Sequence, residues 1–219
     1  MEETDGTVSL APRGRDALAV DGAHRLRFVL RMLWYSPMLA GRLVRRAHVN
    51  VDADVERWVN ITALAVSPGR RLVALLASYP EFRTLYCYRL RRTGTAGAAL
   101  SAVLGVLYPG ERTLHLATSD IGPGLFIQHG FATIVAARRV GANCWINQQV
   151  TIGFDRPGER PVLGDGVGVY AGAKVLGDVK IGDGARIGAN AVVLTDVPPG
   201  YTAIGVPARL LPPKAEREH

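Results

Sequence analysis

The sequence predicts an α+β chain in which a helical N-terminal domain precedes a parallel β-helix. The main observation is a period of six in the C-terminal half, where an aliphatic side chain returns at every sixth residue. This period is neither the 3.6 residues of a helix nor the two residues of a simple strand. It is typical of a chain that turns a corner every six residues, so that three short strands form one triangular coil. In the N-terminal half, the apolar residues instead follow helical spacing.

Two columns of inward-facing side chains carry the period. The first column is Leu163, Val169, Val175, Ile181, Ile187 and Val193, and the second, four residues later in each case, is Val167, Ala173, Val179, Ala185, Ala191 and Val197. The register continues upstream through Ile121, Ile127, Ile134, Val140, Ile146 and Ile152, with Leu125, Phe131, Cys144 and Val150 in the second column. These positions predict twelve turns, or four coils. Glycines beside the column are expected to form the tight corners, namely Gly164, Gly182 and Gly188.

Two steps of the repeat are irregular. The step from Ile152 to Leu163 has eleven residues instead of six, so residues 154–162 are expected to bulge out as a loop. Ile134 comes one residue late in the register, and the irregular step contains His129. An extra residue at a corner can push a side chain outward, away from the core.

The N-terminal half reads as several short helices. Residues 25–49 have helical spacing that Pro37 interrupts, and Asp52 or Asp54 is expected to cap a helix through Trp58. Three more helices are expected over residues 70–78, 81–92 and 98–107. No catalytic constellation is recognisable among them, so the expected role of this domain is assembly and packing. The predicted divisions are a flexible N-terminus (1–22), the helical domain (23–110), the β-helix domain (111–211) and a flexible tail (212–219).

Composition limits the class of protein. With 48% apolar and 21% charged residues, the chain reads as a soluble globular protein. It has no apolar run of the ~20 residues that a membrane-spanning helix needs. The first residues lack the pattern of a signal peptide, so a cytoplasmic location is expected. Cys87 and Cys144 have no metal-ligand spacing and are expected to be small buried hydrophobes.

The net charge of +7 raises the question of an anionic partner. Arginines cluster at 42, 45 and 46 and again at 89, 91 and 92. No nucleic-acid-binding signature accompanies them, so solvated helix faces are the better interpretation for most of these arginines. We expect neither a nucleic-acid partner nor a membrane span.

Specific motifs lie within and after the repeat. They are the segment IGPGLFIQHG at 121–130, VTIG at 150–153, AGAKVLG at 171–177, IGANAVV at 187–193, and the closing GVPAR at 205–209. On these residues the chain resembles the hexapeptide-repeat acyltransferases, and most of all the serine acetyltransferases, over about residues 113–211. The resemblance implies a left-handed parallel β-helix and acetyl-CoA as the acyl donor. No metal is expected, because a zinc hydratase on this fold needs three histidines and the β-helix region offers only His115 and His129.

The resemblance implies that His129 is the catalytic general base. A neutral imidazole suits the removal of a proton from an acceptor hydroxyl near neutral pH. The chain departs from the family at three places: Leu114 stands where an orienting aspartate is expected, Gln128 replaces an acceptor-binding aspartate, and Arg160-Pro161 lacks an intervening histidine. Another group must then orient the ring of His129. The candidates from sequence are a backbone carbonyl, His115, Asp120 and Glu159.

Binding residues follow from the same resemblance and from residue type. The pantetheine arm of CoA is expected beside Ala171 and Ala189, with Phe154 and Lys174 as further contacts to the donor. The acceptor is expected to meet Gln128, Trp145, Asn147, Glu159 and Arg160. Amide side chains can both donate and accept and an aromatic ring can cover a sugar face, although packing explains these residues equally well.

The predicted function is an acetyl-CoA-dependent O-acetyltransferase. Its acceptor would be a small molecule with a hydroxyl group: serine, a serine-like amino acid or a saccharide. The alternative is the housekeeping serine O-acetyltransferase of cysteine biosynthesis, and a non-catalytic scaffold also stays open. Because one β-helix offers only one wall of a site, we expect a homotrimer or a dimer of trimers.

Overall fold

The computed structural model describes residues 22–44, 48–154 and 156–213. The two predicted flexible ends therefore fall almost entirely outside the described residues, as do Arg45 and Arg46. The α-helices are α1 (Gly22–Tyr35), α2 (His48–Thr62), α3 (Arg71–Ser78), α4 (Pro80–Arg91) and α5 (Thr95–Leu107). Among the described residues, 3₁₀ helices span Ser36–Leu43 and Pro68–Arg70. Pro37 lies at the start of the first of these, where its fixed φ and missing N–H are tolerated.

The strands are short and follow the helices in an unbroken series. They are β1 (Leu114–Leu116), β2 (Phe126–Ile127), β3 (Thr133–Val135), β4 (Arg139–Val140), β5 (Trp145–Ile146), β6 (Thr151–Gly153), β7 (Val162–Leu163), β8 (Gly168–Val169), β9 (Lys174–Leu176), β10 (Lys180–Ile181), β11 (Arg186–Ile187), β12 (Val192–Val193), β13 (Thr202–Ile204) and β14 (Arg209–Leu211).

Three parallel sheets form the faces of a prism. One sheet has the order β1-β3-β6-β9-β12, the second β4-β7-β10, and the third β2-β5-β8-β11-β13 with β14 added antiparallel. From β1 to β13 successive strands of the chain fall on different sheets, so that three strands, one from each sheet, make one coil. The stack is longer than the four coils expected from sequence. β1 adds a strand at the start, and β13 continues the third sheet beyond the last hexad before β14 closes it.

The inward columns predicted from the period are confirmed from Val140 to Val197, where every predicted position is buried. Two upstream positions were wrong. Phe131 and Ile134 are 45% and 43% exposed, and Val135 is fully buried in their place. Val135 pairs with Ile152, whereas Ile134 pairs with the outward Thr151. Because side chains alternate along a strand, a shift of one residue moves Ile134 to the outer face.

Glycines next to the inward column have a different function from the one predicted. The predicted corner residues Gly164, Gly182 and Gly188 do not have positive φ. The same is true of Gly141, and a β-carbon on Gly141 would lie 2.3 Å from the carbonyl oxygen of Gly164. These glycines therefore let neighbouring coils approach closely. The left-handed corner conformations belong to other residues, among them Asn143 (φ 56°) and Gly166 (φ 66°).

The helical domain packs directly on the first coils of the β-helix. Asp54 was expected to cap a helix, but α2 begins earlier, at His48, and Asp54 is buried in its middle. Its carboxylate accepts hydrogen bonds from the backbone N–H groups of Gly124 and Leu125, in the turn before β2. Trp58 Nε1 donates to the carbonyl of Leu125 at 2.8 Å. α2 thus holds the turn from which β2 and His129 follow.

Arg89 is an exception to the interpretation, made for most of the clustered arginines, that they lie on solvated helix faces. The side chain is buried and bonds to both carboxylate oxygens of Asp54. It also donates to the carbonyls of Ile121 and Gly122. Burial raises the pKa of the Asp54 carboxyl, and the hydrogen bond and charge of Arg89 oppose that shift. The guanidinium joins α2, α4 and the first coil.

Candidate active site

His129 lies at a corner of the prism, directly after β2. Its backbone has a φ of 53°, and Ala132 in the same corner has a φ of 50°. The N–H of Phe131 donates to the carbonyl of His129 at 2.6 Å, which closes a tight local turn. This irregular corner leaves the side chain of His129 exposed. Gly130, which follows it, is buried against the body of the protein.

The imidazole borders a cavity of about 330 Å³ between the helical domain and the first coils. The cavity is lined by Trp58, Ile61, Thr62, Tyr79, Glu81, Phe126, Ile127, Gln128, His129 and Trp145. This size is at the lower end of the range for small-molecule sites. The helical domain, expected only to pack and assemble, supplies half of the lining residues.

Aromatic rings in edge-to-face and tilted contact form one wall of the cavity. The ring of Trp58 lies 5.5 Å from that of Tyr79 and 4.6 Å from that of Phe126, centroid to centroid. Trp145 continues the series, 4.7 Å from Phe126 in an edge-to-face arrangement. A rigid aromatic wall suits an apolar or carbohydrate face of a ligand.

Polar groups of the lining are few. Among the lining residues, Glu81 is the one acid, His129 the one imidazole and Gln128 the one amide, and no lysine or arginine is present. Within the described part of the chain, no hydrogen bond or ion pair engages the side chain of His129. The ring is therefore available both to a ligand and to an orienting partner.

The structure separates the predicted acceptor-binding residues into two groups. Gln128 and Trp145 line the cavity, and Asn147 holds Trp145, whose Nε1 donates to Asn147 Oδ1 at 2.6 Å. Glu159 and Arg160 lie instead in the loop between β6 and β7, at a different corner of the prism. They do not reach the cavity of their own chain.

That loop also contains Phe154, one of the predicted contacts to CoA. The guanidinium of Arg160 lies over the ring of Phe154, 5.3 Å from the centroid. Phe154 remains 46% exposed. The loop thus presents an aromatic ring and a cation together on the surface, at the insertion that the eleven-residue step predicts.

The other predicted CoA contacts lie along the corner that starts at His129. This corner, here called the site edge, continues in the next coils through Gln149, Gly172 and Asn190. Backbone hydrogen bonds connect each coil to the one before it. The N–H of Gln149 donates to the carbonyl of Phe131 at 3.0 Å, that of Gly172 to the carbonyl of Gln148 at 3.0 Å, and that of Asn190 to the carbonyl of Ala171 at 2.9 Å. Ala171 is half-buried and Ala189 is exposed on this edge.

Lys174 stands beside the site edge, at the start of β9. Its Nζ donates to the carbonyls of Gln149 at 2.7 Å and Gly172 at 3.0 Å. An ammonium group has three donors, so one remains for a ligand. Lys174 therefore links two coils and leaves positive charge on the edge.

Among the described residues, no group of three or more histidine, cysteine, aspartate or glutamate side chains is arranged to hold a metal ion. No helix in the described ranges has the length and apolar character needed to cross a membrane.

Comparison with known proteins decides the family. The family model described as bacterial transferase hexapeptide (six repeats) matches residues 160–195. A serine acetyltransferase of Helicobacter pylori (strain J99) is 40% identical over 152 residues, which are 63% of this chain and 84% of that protein. The chain belongs to the serine acetyltransferase family. A serine acetyltransferase of Synechococcus elongatus is 37% identical over 158 residues, 65% of this chain and 62% of that protein. The chain thus spans less than two thirds of the length of this relative.

Solved serine acetyltransferase structures share the architecture. The Neisseria gonorrhoeae enzyme in complex with serine aligns with a TM-score of 0.58 at 27% identity, over 81% of this chain and 73% of that one. A serine acetyltransferase complex with CoA aligns with a TM-score of 0.55 at 28% identity, over 74% and 67%. These matches confirm the fold predicted from sequence, a helical N-terminal region followed by a left-handed parallel β-helix of hexapeptide repeats.

The position of the family's orienting aspartate is apolar in this chain. Leu114, on β1, is only 4% exposed. The three side chains suggested by sequence as alternatives are not among the residues that line the cavity either. His115 is exposed on β1, and Oδ2 of Asp120 lies 3.5 Å from Nε of Arg139. Glu159 is in the loop between β6 and β7, at a different corner of the prism.

Three residues that line the cavity were not predicted from sequence as site residues, namely Trp58, Tyr79 and Glu81. Proline followed by an acidic residue is common in the first turn of helices in general. Pro80 and Glu81 therefore indicate the start of a helix and do not by themselves indicate a site. Trp58 fits the apolar face of an ordinary helix. Only the packing of α2 and α4 against β2 brings these residues to His129.

Proposed function

We propose that this chain is an acetyl-CoA-dependent O-acetyltransferase with His129 as its general base. The observation that supports this best is the exposed imidazole at the head of the site edge, beside a cavity large enough for a small acceptor. Membership of the serine acetyltransferase family supports the same reaction class.

The reaction needs one proton acceptor and one acyl donor. Neutral His129 takes the proton from the acceptor hydroxyl while the oxygen attacks the thioester carbonyl. The tetrahedral intermediate collapses, the carbon–sulfur bond breaks, and the imidazolium returns the proton to the departing thiolate. The products are an O-acetyl ester and CoA, with no covalent enzyme intermediate.

Acetyl-CoA is proposed to lie along the site edge, with its acyl end at His129. Ala171 and Ala189 leave room for the pantetheine arm to approach the backbone. Lys174 offers its free N–H to a phosphate, and Phe154 from the loop of a neighbouring subunit covers part of the donor. A serine acetyltransferase solved in complex with CoA supports CoA as the donor.

The acceptor is proposed to be a hydroxyl compound that fills the cavity next to Gln128 and Trp145, with Asn147 holding the indole. Serine, a serine-like amino acid and a saccharide all satisfy the reaction. The aromatic wall favours an acceptor larger than serine. Serine O-acetylation for cysteine synthesis is the second candidate, favoured by the serine-bound relative.

The loop with Phe154, Glu159 and Arg160 is proposed to complete the site of a neighbouring subunit. It lies at a different corner from His129, so it cannot serve the cavity of its own chain. A homotrimer would bring the loop of one subunit to the site edge of the next. The exposed apolar residues Leu30, Leu33 and Trp34 on α1 would allow two trimers to pair.

An assay of thiol release from acetyl-CoA tests the proposal, with serine, homoserine and nucleotide sugars as acceptors. We expect His129→Ala to lower kcat by roughly 10²–10⁴-fold without changing the mass seen by light scattering. His115→Ala, a change of an exposed histidine outside the cavity, is the matched control and should leave the rate unchanged. Full activity in His129→Ala would rule out this mechanism.

A further inference from the structure

The cavity contains a carboxylate that the sequence does not point to. Glu81 is in the first turn of α4, two residues after Tyr79, and it is the one acid among the lining residues. No hydrogen bond or ion pair engages its side chain among the residues that the structure describes.

Glu81 and Leu114 meet at Gly130, the residue after His129. A β-carbon built on Gly130 would lie 3.1 Å from Cγ of Glu81 and 3.2 Å from Cδ2 of Leu114. The two side chains therefore approach the same point from two domains. The place where family resemblance implies an aspartate is filled by a leucine, and a glutamate from the helical domain reaches its immediate neighbourhood.

The backbone that presents Glu81 is tightly fixed. Thr84 Oγ1 accepts a hydrogen bond from the N–H of Glu111 at 2.9 Å, and that N–H also donates to the carbonyl of Pro80 at 3.1 Å. Arg83 donates to the carbonyls of Pro109 at 2.9 Å and Leu76 at 2.7 Å. The start of α4 is thus bound to the segment that leads into β1.

We propose that Glu81 is the positioning carboxylate of His129, relocated from the β-helix to the helical domain. Its ionised oxygens would accept the N–H of one ring nitrogen, so that the other nitrogen faces the acceptor hydroxyl without a proton. Since the ring is exposed and otherwise unengaged, this bond would select one tautomer. The inference rests on the proposed function, because it assigns a partner to the proposed base.

Glu81→Gln tests the assignment, since the amide keeps the size of the side chain and loses its charge. We expect kcat to fall by about 10- to 100-fold with little change in KM for the acceptor. Glu56→Gln, on the exposed face of α2, is the control and should leave both constants unchanged. A rise in acceptor KM alone would overturn the assignment and make Glu81 a contact to substrate.

A carboxylate introduced at position 114, where the family resemblance implies an aspartate, should restore part of the activity that Glu81→Gln loses. In the double variant Glu81→Gln, Leu114→Asp, the new acid would stand beside the same Gly130. Recovery of kcat relative to Glu81→Gln would support the relocation.

A spectroscopic readout separates this inference from the proposed function. In ¹⁵N-histidine-labelled protein, ring nitrogen shifts report the tautomer, and His129→Ala identifies the signals of His129. We expect one tautomer in the unsubstituted protein and a mixture in Glu81→Gln. An unchanged tautomer in Glu81→Gln would overturn the inference even in an active enzyme. Absence of acetyl transfer with every acceptor would instead reject the proposed function. The ring nitrogen shifts of His129 would still test the role of Glu81 in that case.

Discussion

Asp54 on α2 and Arg89 on α4 form a two-pronged ion pair, with Nε to Oδ2 at 2.8 Å and Nη2 to Oδ1 at 3.1 Å. Their side chains are 2% and 4% exposed. Each partner also bonds to backbone of the first coil, so the pair fixes the helical domain against the turn that precedes β2. The cavity beside His129 depends on that attachment, since its two walls come from the two domains.

Removing one member of this pair should strongly destabilise the protein. Asp54→Asn leaves a buried guanidinium without its counter-charge, and we expect the free energy of unfolding to fall by roughly 3–5 kcal/mol. Asp52→Asn is the matched control on the same helix, because Asp52 pairs with Arg42 on the surface at 3.1 Å. Its effect should be about 1 kcal/mol or less. Urea denaturation measures both, and equal losses would contradict the difference in burial.

The register of the β-helix can be tested with two isoleucines on adjacent strands. Ile152 is fully buried and Ile134 is 43% exposed. Ile152→Ala should destabilise the protein by about 2–5 kcal/mol because it removes core contacts and leaves a cavity. Ile134→Ala should change stability far less. A loss for Ile134→Ala as large as that for Ile152→Ala would contradict the observed register and favour the sequence-based one, in which both side chains point inward.

Close stacking of the coils predicts an intolerant glycine. In Gly141→Ala the added methyl would meet the backbone of Gly164, with the carbonyl carbon only 2.4 Å away. We expect a loss of about 1–3 kcal/mol, because backbone cannot move aside as a flexible side chain can. Gly69→Ala is the control, since nothing lies within 4 Å of its β-carbon position. Thermal unfolding of the two variants compares them directly.

The positive charge of Lys174 on the site edge should affect the KM for acetyl-CoA and not the KM for the acceptor. Lys174→Met removes the ammonium proposed to meet a phosphate of CoA, and we expect KM for acetyl-CoA to rise by about tenfold, or about 1.4 kcal/mol. Lys180→Met, an exposed change on the second sheet, should leave this KM unaltered. Initial-rate kinetics with each substrate varied in turn measure both KM values. A change in the KM for the acceptor alone would contradict the assignment of Lys174 to the donor.

The buried thiol of Cys144 should be unreactive in the folded protein. Burial raises the pKa of this thiol to about 11. Because the thiolate is the nucleophile, only about one thiol in a thousand would be ionised at pH 8. Labelling with iodoacetamide, followed by mass spectrometry of the peptide, should be slow in native protein and fast in urea. Rapid native labelling would place Cys144 outside the prism.

The sequence by itself determined the β-helix and the identity of the proposed base. A six-residue period is a local property of the chain, since each inward side chain must pack on the one a coil below, whatever surrounds the prism. The eleven-residue step likewise required a loop, and the strands on either side of it end at Gly153 and resume at Val162. His129 could be recognised because it stands within a motif of contiguous residues.

Only the tertiary structure decided what faces His129. Glu81, Trp58 and Tyr79 are far from His129 in the chain and have ordinary helical contexts, so no local pattern distinguishes them. The register around Ile134 also depended on the whole corner, because two left-handed residues there absorb an irregular step that a fixed period cannot describe. Sequence periodicity reports contacts that repeat, whereas a site between two domains is made of contacts that occur once.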